Sequence, residues 1–160
     1  MASEAKLFGH PVHQMLIVFP LGLLAMAVIF DIIRLIAGTP LGLPSYYMIA
    51  AGVISGLVAA VFGFIDWLGI PSRTRAKSIG LWHALGNVVV LVLFAISWLF
   101  RVGDPTDPPA IAFILALIGT GLALVTGWLG GELVDRLGIG VDSGAHVNAP
   151  SSLSGRPASG

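Results

Sequence analysis

Four long apolar runs constrain this chain more than any other feature of its sequence. They cover residues 14–37, 46–68, 79–100 and 109–134. A helix rises about 1.5 Å per residue, so roughly 20 residues cross the ~30 Å hydrocarbon core of a bilayer. Each run is long enough to do so. Because the chain is 56% hydrophobic and only 10% charged, the runs predict an integral membrane protein.

The connections between the runs are short and rich in residues that end helices. They contain Gly38 and Pro40, then Pro71, and then three prolines within residues 103–109. Short connections make successive helices antiparallel. We therefore predict an all-α fold, an up-down-up-down bundle of four transmembrane helices.

One transmembrane domain is predicted over residues 1–137, followed by a disordered cytoplasmic tail over residues 138–160. The tail consists mainly of Gly, Ser, Pro and Ala, which cannot bury enough apolar surface to fold. No small-residue cleavage pattern follows the first apolar run, so we expect it to be retained as a span rather than removed as a signal peptide.

The positions of the basic residues predict the orientation in the membrane. Six of the eight fall on the side shared by the N-terminus, the second connection and the C-terminus, and only Arg34 and Arg101 fall on the other. The six are Lys6, Arg73, Arg75, Lys77, Arg136 and Arg156. Because basic residues favour the cytoplasmic side, both termini are predicted to be cytoplasmic, with the chain in the inner (plasma) membrane of the cell.

Ionisable side chains at the ends of spans are the candidates for function, because lipid makes them costly. At the predicted cytoplasmic side, each span brings one imidazole or carboxylate group. These groups are His10 or His13, Asp66, His83 and Glu132. We expect them to converge at that face. At the opposite face, Asp31 and Arg34 lie three residues apart, the spacing of a helical side-chain pair, and are predicted to form an ion pair at the rim.

Two imidazoles at one depth on different helices match the needs of a b-type haem, whose iron takes one axial nitrogen from each face. The first and third helices of an up-down bundle are diagonal neighbours, so we predict that His13 and His83 ligate one haem iron. His10 is a second candidate ligand on the first helix. Asn87, one turn after His83, is predicted to orient a ligand or bind a propionate. The absence of cysteine excludes covalent c-type attachment.

Two other interpretations use the same residues. A Zn, Fe or Mn ion would be held by His13 and His83 with Asp66 and Glu132, since imidazole and carboxylate groups are common ligands of these metals. Alternatively, the chain is a structural or accessory membrane subunit without a cofactor. His83 is then a neutral imidazole bonded to a neighbouring carbonyl or to Asp66.

Small residues form stripes on the second and fourth spans. They are Gly52, Gly56 and Gly63 on the second span and Gly127 and Gly131 on the fourth. Such residues let helix backbones approach closely, which we favour over the alternative that they make room for a flat ligand. In the first span, Pro20 leaves the carbonyl of Leu16 without its usual donor and bends the helix.

The sequence contains no recognisable motif for a catalytic nucleophile, a nucleotide-binding loop or a substrate pocket, so independent catalytic activity is not expected. As a haem protein the chain would be an electron-transfer or haem-sensing subunit. No nucleic-acid partner is expected.

Six short motifs are distributed over most of the chain. They are Gly9-His10-Pro11-Val12-His13, Phe19-Pro20-Leu21-Gly22, Asp66-Trp67, Leu81-Trp82-His83-Ala84, Gly127-Trp128-Leu129-Gly130-Gly131-Glu132-Leu133-Val134 and Gly138-Ile139-Gly140-Val141. Together they resemble the bacterial membrane protein family of domain of unknown function 2231, over about residues 7–142. The resemblance implies a four-helix membrane protein without an assigned activity. Some members resemble modules joined to Rieske-type iron–sulfur domains, which implies a redox partner of that type; a homo-oligomer is the alternative.

Three positions depart from the pattern of many members of that family. Some members have a histidine where this chain has Val18, a proline where it has Gln14 and a histidine where it has Leu137. A site that required any of those side chains cannot form in this chain. A cofactor held by the first helix would depend here on His10 or His13.

Overall fold

The computed structural model describes residues 1–157, which are mostly helical. Two short strands, β1 (Lys6–Leu7) and β2 (His10–Pro11), pair as an antiparallel hairpin. The main helices are α1 (Val12–Leu16), α2 (Val18–Ala37), α3 (Gly42–Gly69), α4 (Arg75–Leu99) and α5 (Ala110–Gly131). A π-helical turn (Glu132–Arg136) extends α5, and a 3-10 helix covers Ser152–Ser154.

Four helical segments in the described residues are long and apolar enough to cross a membrane, which confirms the predicted fold class. The first combines α1 and α2, and the last combines α5 and the π-helical turn. Both α3 and α4 begin earlier than predicted. Thr74 extends α4 because its hydroxyl accepts a hydrogen bond of 3.1 Å from the N–H of Lys77 and caps the helix. Pro44 does not stop α3, because it lies in the first turn, where its missing N–H costs little.

The long helices pack as a ring in chain order. α2 contacts α3, α3 contacts α4 and α4 contacts α5, while α5 closes the ring on α2. α2 and α4 therefore lie diagonally across the bundle. Leu24, Val90 and Phe94 are buried in the core between the helices. Many other large apolar side chains, such as Ile36, point outward to where lipid would cover them.

The two helical hairpins are structural repeats of each other. In the first hairpin (α1–α3), Leu24 packs against Gly52; in the second (α4–α5), Phe94 packs against Gly119. Phe94 follows Leu24 by 70 positions and Gly119 follows Gly52 by 67. The first helices of the hairpins are thus related by a shift of 70 residues and the second helices by a shift of 67. Both hairpins start on the same side of the bundle, so a pseudo-two-fold axis along the bundle relates them.

A two-fold arrangement brings equivalent residues into contact where they lie on the axis. His13 and His83, which are 70 positions apart, meet near one end of the bundle. Asp31 and Arg101, also 70 positions apart, meet near the other. These two ends are called the histidine end and the ion-pair end.

The ion-pair end differs from the prediction, because Asp31 does not pair with Arg34. Asp31 and Arg101 are both fully buried, and the carboxylate accepts hydrogen bonds of 2.9 and 2.6 Å from the two terminal guanidinium nitrogens. Arg34 pairs instead with exposed Asp107, at 2.8 Å. Helical spacing alone gave the wrong partner because Asp31 faces the bundle axis, where the equivalent residue of the other hairpin carries the opposite charge.

Each hairpin also contains one buried serine hydroxyl that joins its two helices. Ser45 on α3 donates to the carbonyl of Ala27 on α2 at 3.1 Å, and Ser97 on α4 donates to the carbonyl of Ala112 on α5 at 2.6 Å. Ser97 is equivalent to Ala27, and Ala112 to Ser45. The two hairpins therefore make the same cross-link with donor and acceptor exchanged.

We expect Ser97→Ala to lower the free energy of unfolding by about 1–2 kcal/mol. Interhelical hydrogen bonds in membrane proteins contribute about 0.6 and at most ~1.7 kcal/mol each, and Ser97 also accepts from Arg101. Reversible unfolding in mixed micelles would measure the change. Ser55→Ala is the matched control, because that hydroxyl binds Gly52 within its own helix. Equal losses in the two variants would contradict the interhelical role.

Segments outside the bundle meet at the histidine end. The amine of Met1 donates to the carbonyl of Gly138 at 2.7 Å, and the N–H of Gly140 donates to the carbonyl of Met1 at 2.8 Å. The start of the tail is thus bonded to the start of the chain. The disorder predicted for residues 138–160 stays a prediction, and its last part, 158–160, lies outside the described residues.

Candidate functional site

His13 and His83 meet on the bundle axis at the histidine end. His13 lies on α1, His83 lies near the start of α4, and both are half-buried. Their ring centroids are 6.5 Å apart and the ring planes are nearly perpendicular, at 87°. The structure therefore brings together the two histidines that the sequence singles out as a pair.

Each imidazole is held by a backbone carbonyl of the second helix in its own hairpin. The Nδ1 atom of His13 lies 2.8 Å from the carbonyl oxygen of Ala59, and that of His83 lies 2.9 Å from the carbonyl oxygen of Thr126. Because a carbonyl only accepts, Nδ1 carries the proton in both rings. In a neutral imidazole with the proton on Nδ1, the Nε2 atom is unprotonated and has a free lone pair. This is the form in which histidine binds metals through Nε2.

A glycine lies against each imidazole ring, one turn after the carbonyl that binds it. A methyl carbon added at Gly63 would lie 2.8 Å from Cε1 of His13, and one added at Gly130 would lie 3.1 Å from Cε1 of His83. Gly63 and Gly130 are equivalent in the repeat, 67 positions apart. Both glycines therefore make room for the imidazole rings.

The glycine stripes predicted from sequence divide into two groups. Gly52 accommodates the side chain of Leu24, as expected for close packing. Gly127 and Gly131 differ, because no atom of the described chain lies within 4 Å of a methyl carbon added there. On α5 the glycine that packs at the site is Gly130, which lies between them in sequence.

Asn87 adds a second set of hydrogen bonds on the His83 side. Its amide nitrogen donates to the carbonyl of His83 at 2.8 Å and lies 3.2 Å from Nε2 of the same residue. The Thr126 hydroxyl donates to the amide oxygen of Asn87 at 3.1 Å. Thr126 was not predicted as a site residue. Its spacing from Gly130 matches that of Ala59 from Gly63, a signal that the repeat would have revealed.

The two carboxylates expected beside the histidines bind other partners. Asp66 accepts hydrogen bonds from the hydroxyl of Ser3 at 2.6 Å and from the N–H of Glu4 at 2.9 Å, so it holds the N-terminal segment. Glu132 forms an ion pair with Arg75 at 2.5 Å. Within residues 1–157 the structure forms no group of three or more metal-binding side chains.

The other predicted ligand, His10, lies outside the bundle. It is exposed on β2, and its Nε2 atom lies 3.4 Å from the hydroxyl of Ser152 in the tail. Of the two histidines at the start of the first span, the structure places only His13 next to His83.

Four membrane-length helices around an axial histidine pair define a small polytopic membrane protein of the helix-bundle class. The family model described as "Predicted membrane protein (DUF2231)" matches residues 9–143, and the chain belongs to this family. No curated protein and no solved structure matches the chain.

Proposed function

We propose that this membrane protein binds one b-type haem, with His13 and His83 as the two axial ligands, and acts as an electron-transfer or haem-sensing subunit. The observation that carries the proposal is the pairing of two imidazoles on the bundle axis, each with Nδ1 bonded to a carbonyl. A metal-binding histidine typically donates its other ring N–H in this way, which fixes the ring and leaves Nε2 for the metal.

The distance between the rings is compatible with one metal atom between them. Two imidazoles bound to one ion from opposite sides, with metal–nitrogen bonds of about 2.0–2.1 Å, have ring centroids about 6 Å apart. The centroids of His13 and His83 are 6.5 Å apart. The spacing of the two rings is therefore one that shared ligation allows, and Nε2 of His83 would give up its contact with Asn87 on binding the metal.

A porphyrin also needs an open flank between two helices. The position of α1 against α3 leaves the opposite flank of the bundle less closely packed. α1 packs mainly against α3, and α2 contacts α5 less extensively than α3 contacts α4. On the α3–α4 flank, Lys77 closes the connection by donating to the carbonyl of Trp67 at 2.7 Å. A flat cofactor would displace the fewest helix contacts on the flank between α1 and α5.

A haem held by two imidazoles supplies reversible one-electron transfer, and its iron has no free position for a substrate. The chain's contribution is to hold both imidazoles in one tautomer and to surround them with apolar helices. A protein with an iron–sulfur centre of the Rieske type fits as a redox partner, and a second copy of the chain is the alternative. The proposed setting is a bacterial inner membrane with both termini in the cytoplasm.

The competing candidate is an accessory membrane subunit without a cofactor. The observation that favours it is the hydrogen-bond network of His83, in which Thr126 and Asn87 already satisfy both ring nitrogens. A Zn, Fe or Mn ion held by His13 and His83 is less well supported, because Asp66 and Glu132 have other partners and would have to leave them.

Reduced-minus-oxidised spectra of protein purified from haem-sufficient cells test the proposal. We expect the Soret and α bands of a b-type haem in the wild type, and a loss of haem of more than about tenfold in His13→Ala and in His83→Ala. His10→Ala and His146→Ala are matched controls that should keep the bands. Wild-type protein without bands, with haem supplied, would contradict the proposal; elemental analysis would then separate a bound metal ion from an accessory subunit.

A further inference from the structure

The internal repeat allows the two sides of the histidine pair to be compared position by position. His13 and His83 are equivalent, as are the carbonyls that hold them and the glycines behind them. Three positions near the pair break this equivalence. The first-hairpin residues Ile17, Pro20 and Ala59 correspond to Asn87, Val90 and Thr126 of the second hairpin. Each difference affects how firmly one of the two imidazoles is held.

His13 lies on the first turn of a span whose helix is irregular at Ile17, where the N–H groups of Ile17 and Leu21 still donate to the carbonyls of His13 and Ile17. α1 ends at Leu16, and α2 begins at Val18. Pro20 has no N–H to donate to the carbonyl of Leu16, so the hydrogen-bond ladder lacks a rung at this boundary. Within its own span, the His13 ring is therefore carried by the five residues of α1 before the missing hydrogen bond.

His83 sits on an uninterrupted helix and has additional side-chain partners. α4 runs without a break from Arg75 to Leu99, and Val90 is buried where the first hairpin has its proline. The amide of Asn87 donates to the carbonyl of His83, and Thr126 holds that amide in turn. The contact of the amide with Nε2 adds to this only while no metal is bound. On the other side Ile17 and Ala59 offer no side-chain hydrogen bond.

We infer that His83 is the fixed imidazole of the pair and His13 the exchangeable one, carried on α1 as a hinged segment. The part of this inference that concerns iron rests on the proposed haem site; the difference in mobility does not. With haem bound, a small neutral iron ligand such as carbon monoxide would replace His13 and leave His83 in place. The site would then combine electron transfer with the sensing of a small ligand.

Hydrogen exchange of the protein in lipid nanodiscs tests the hinge with or without haem. We expect the amides of residues 16 and 17 to exchange at least about tenfold faster than those of their equivalents, residues 86 and 87. These residues are compared because both pairs lie beyond the first unbonded N–H groups of their helices. Pro20→Val should remove most of this difference, because it restores the missing donor. Gly22→Ala is the control, since it changes a neighbouring residue that has space around it and keeps the proline. Equal exchange of the two segments in the wild type would overturn the inference.

Carbon monoxide binding to the reduced, haem-loaded protein tests the exchange of the ligand. We expect an adduct in the wild type, slower formation of that adduct by at least about tenfold in Pro20→Val, and faster formation in His13→Ala reconstituted with haem. A wild type that contains haem but forms no adduct would overturn the inference and leave the proposed function intact. If the purified protein contained no haem, the proposed function would be wrong. Hydrogen exchange would still show whether α1 is more mobile than the equivalent part of α4.

Discussion

Replacing Arg101 with leucine is expected to destabilise the protein by about 3–5 kcal/mol, because it leaves the Asp31 carboxylate buried without a counter-ion. Both side chains are fully buried, and Arg101 also donates to Ser45 at 3.2 Å. The pair joins the two hairpins on their common axis. Reversible unfolding in mixed micelles would measure the loss, and Asp31→Leu should cost a similar amount.

Two further variants separate the role of the pair from that of a general positive charge. The double variant Asp31→Leu/Arg101→Leu should recover most of the stability, since a buried ion pair can often be replaced by apolar side chains at little cost. Arg34→Leu should cost less than about 1 kcal/mol, because its partner Asp107 is exposed. A double variant as unstable as the sum of the single variants would contradict the pairing.

Gly63→Leu and Gly130→Leu are expected to displace the imidazoles and to abolish the proposed haem binding. Even a methyl carbon would lie 2.8 Å from His13 in the first case and 3.1 Å from His83 in the second. Overpacking of this kind costs about 1–3 kcal/mol, and the displaced ring also loses its bond to the carbonyl one turn earlier. We expect haem content to fall by more than about tenfold in both variants.

Gly22→Leu and Gly127→Leu are the controls for this prediction, because atoms of the described chain leave space at both positions. They should keep the wild-type haem content and stability to within about 0.5 kcal/mol. If Gly63→Leu retained haem at the wild-type level, the ring packing at the histidine end would not be needed for the site.

The helices and their order were predictable from sequence because lipid imposes one simple rule on them. A membrane-spanning helix must be long and apolar, and short connections make neighbours antiparallel. The diagonal placement of the first and third spans, which brings His13 to His83, followed from those two facts. The starts of α3 and α4 were predicted too late, because Pro44 and the Thr74 cap each favour helix within a segment that composition marks as a loop.

The pairing at the ion-pair end was not predictable from local spacing. Asp31 and Arg34 have the spacing of a helical pair. Asp31, however, lies in the interior of the bundle, where its partner is a charge from the other hairpin, Arg101 just after the end of α4. The shift of 70 residues was visible in the sequence, since it relates Phe30 to Phe100 as well as Asp31 to Arg101. Further identical residues at this shift include Leu21 and Leu91, Leu23 and Leu93, and Ala25 and Ala95. Other lipid-facing positions differ because one apolar side chain can replace another there.

The site was predictable only for the residues on the axis. His83 and its neighbour Asn87 lie where the sequence placed them. Asp66 and Glu132 were expected beside the histidines because they lie at the same depth. Depth says nothing about direction. Asp66 binds the N-terminal segment outside the bundle, and Glu132 pairs with Arg75 at the start of α4.

Electron paramagnetic resonance of the ferric, haem-loaded protein tests most directly whether His13 and His83 share one iron. We predict a low-spin signal of two imidazole ligands in the wild type, and a change to high spin in protein reconstituted after either His13→Ala or His83→Ala, with His10→Ala unchanged. A wild type that binds haem with a high-spin signal, or a low-spin signal that survives the loss of either histidine, would contradict shared ligation on the bundle axis.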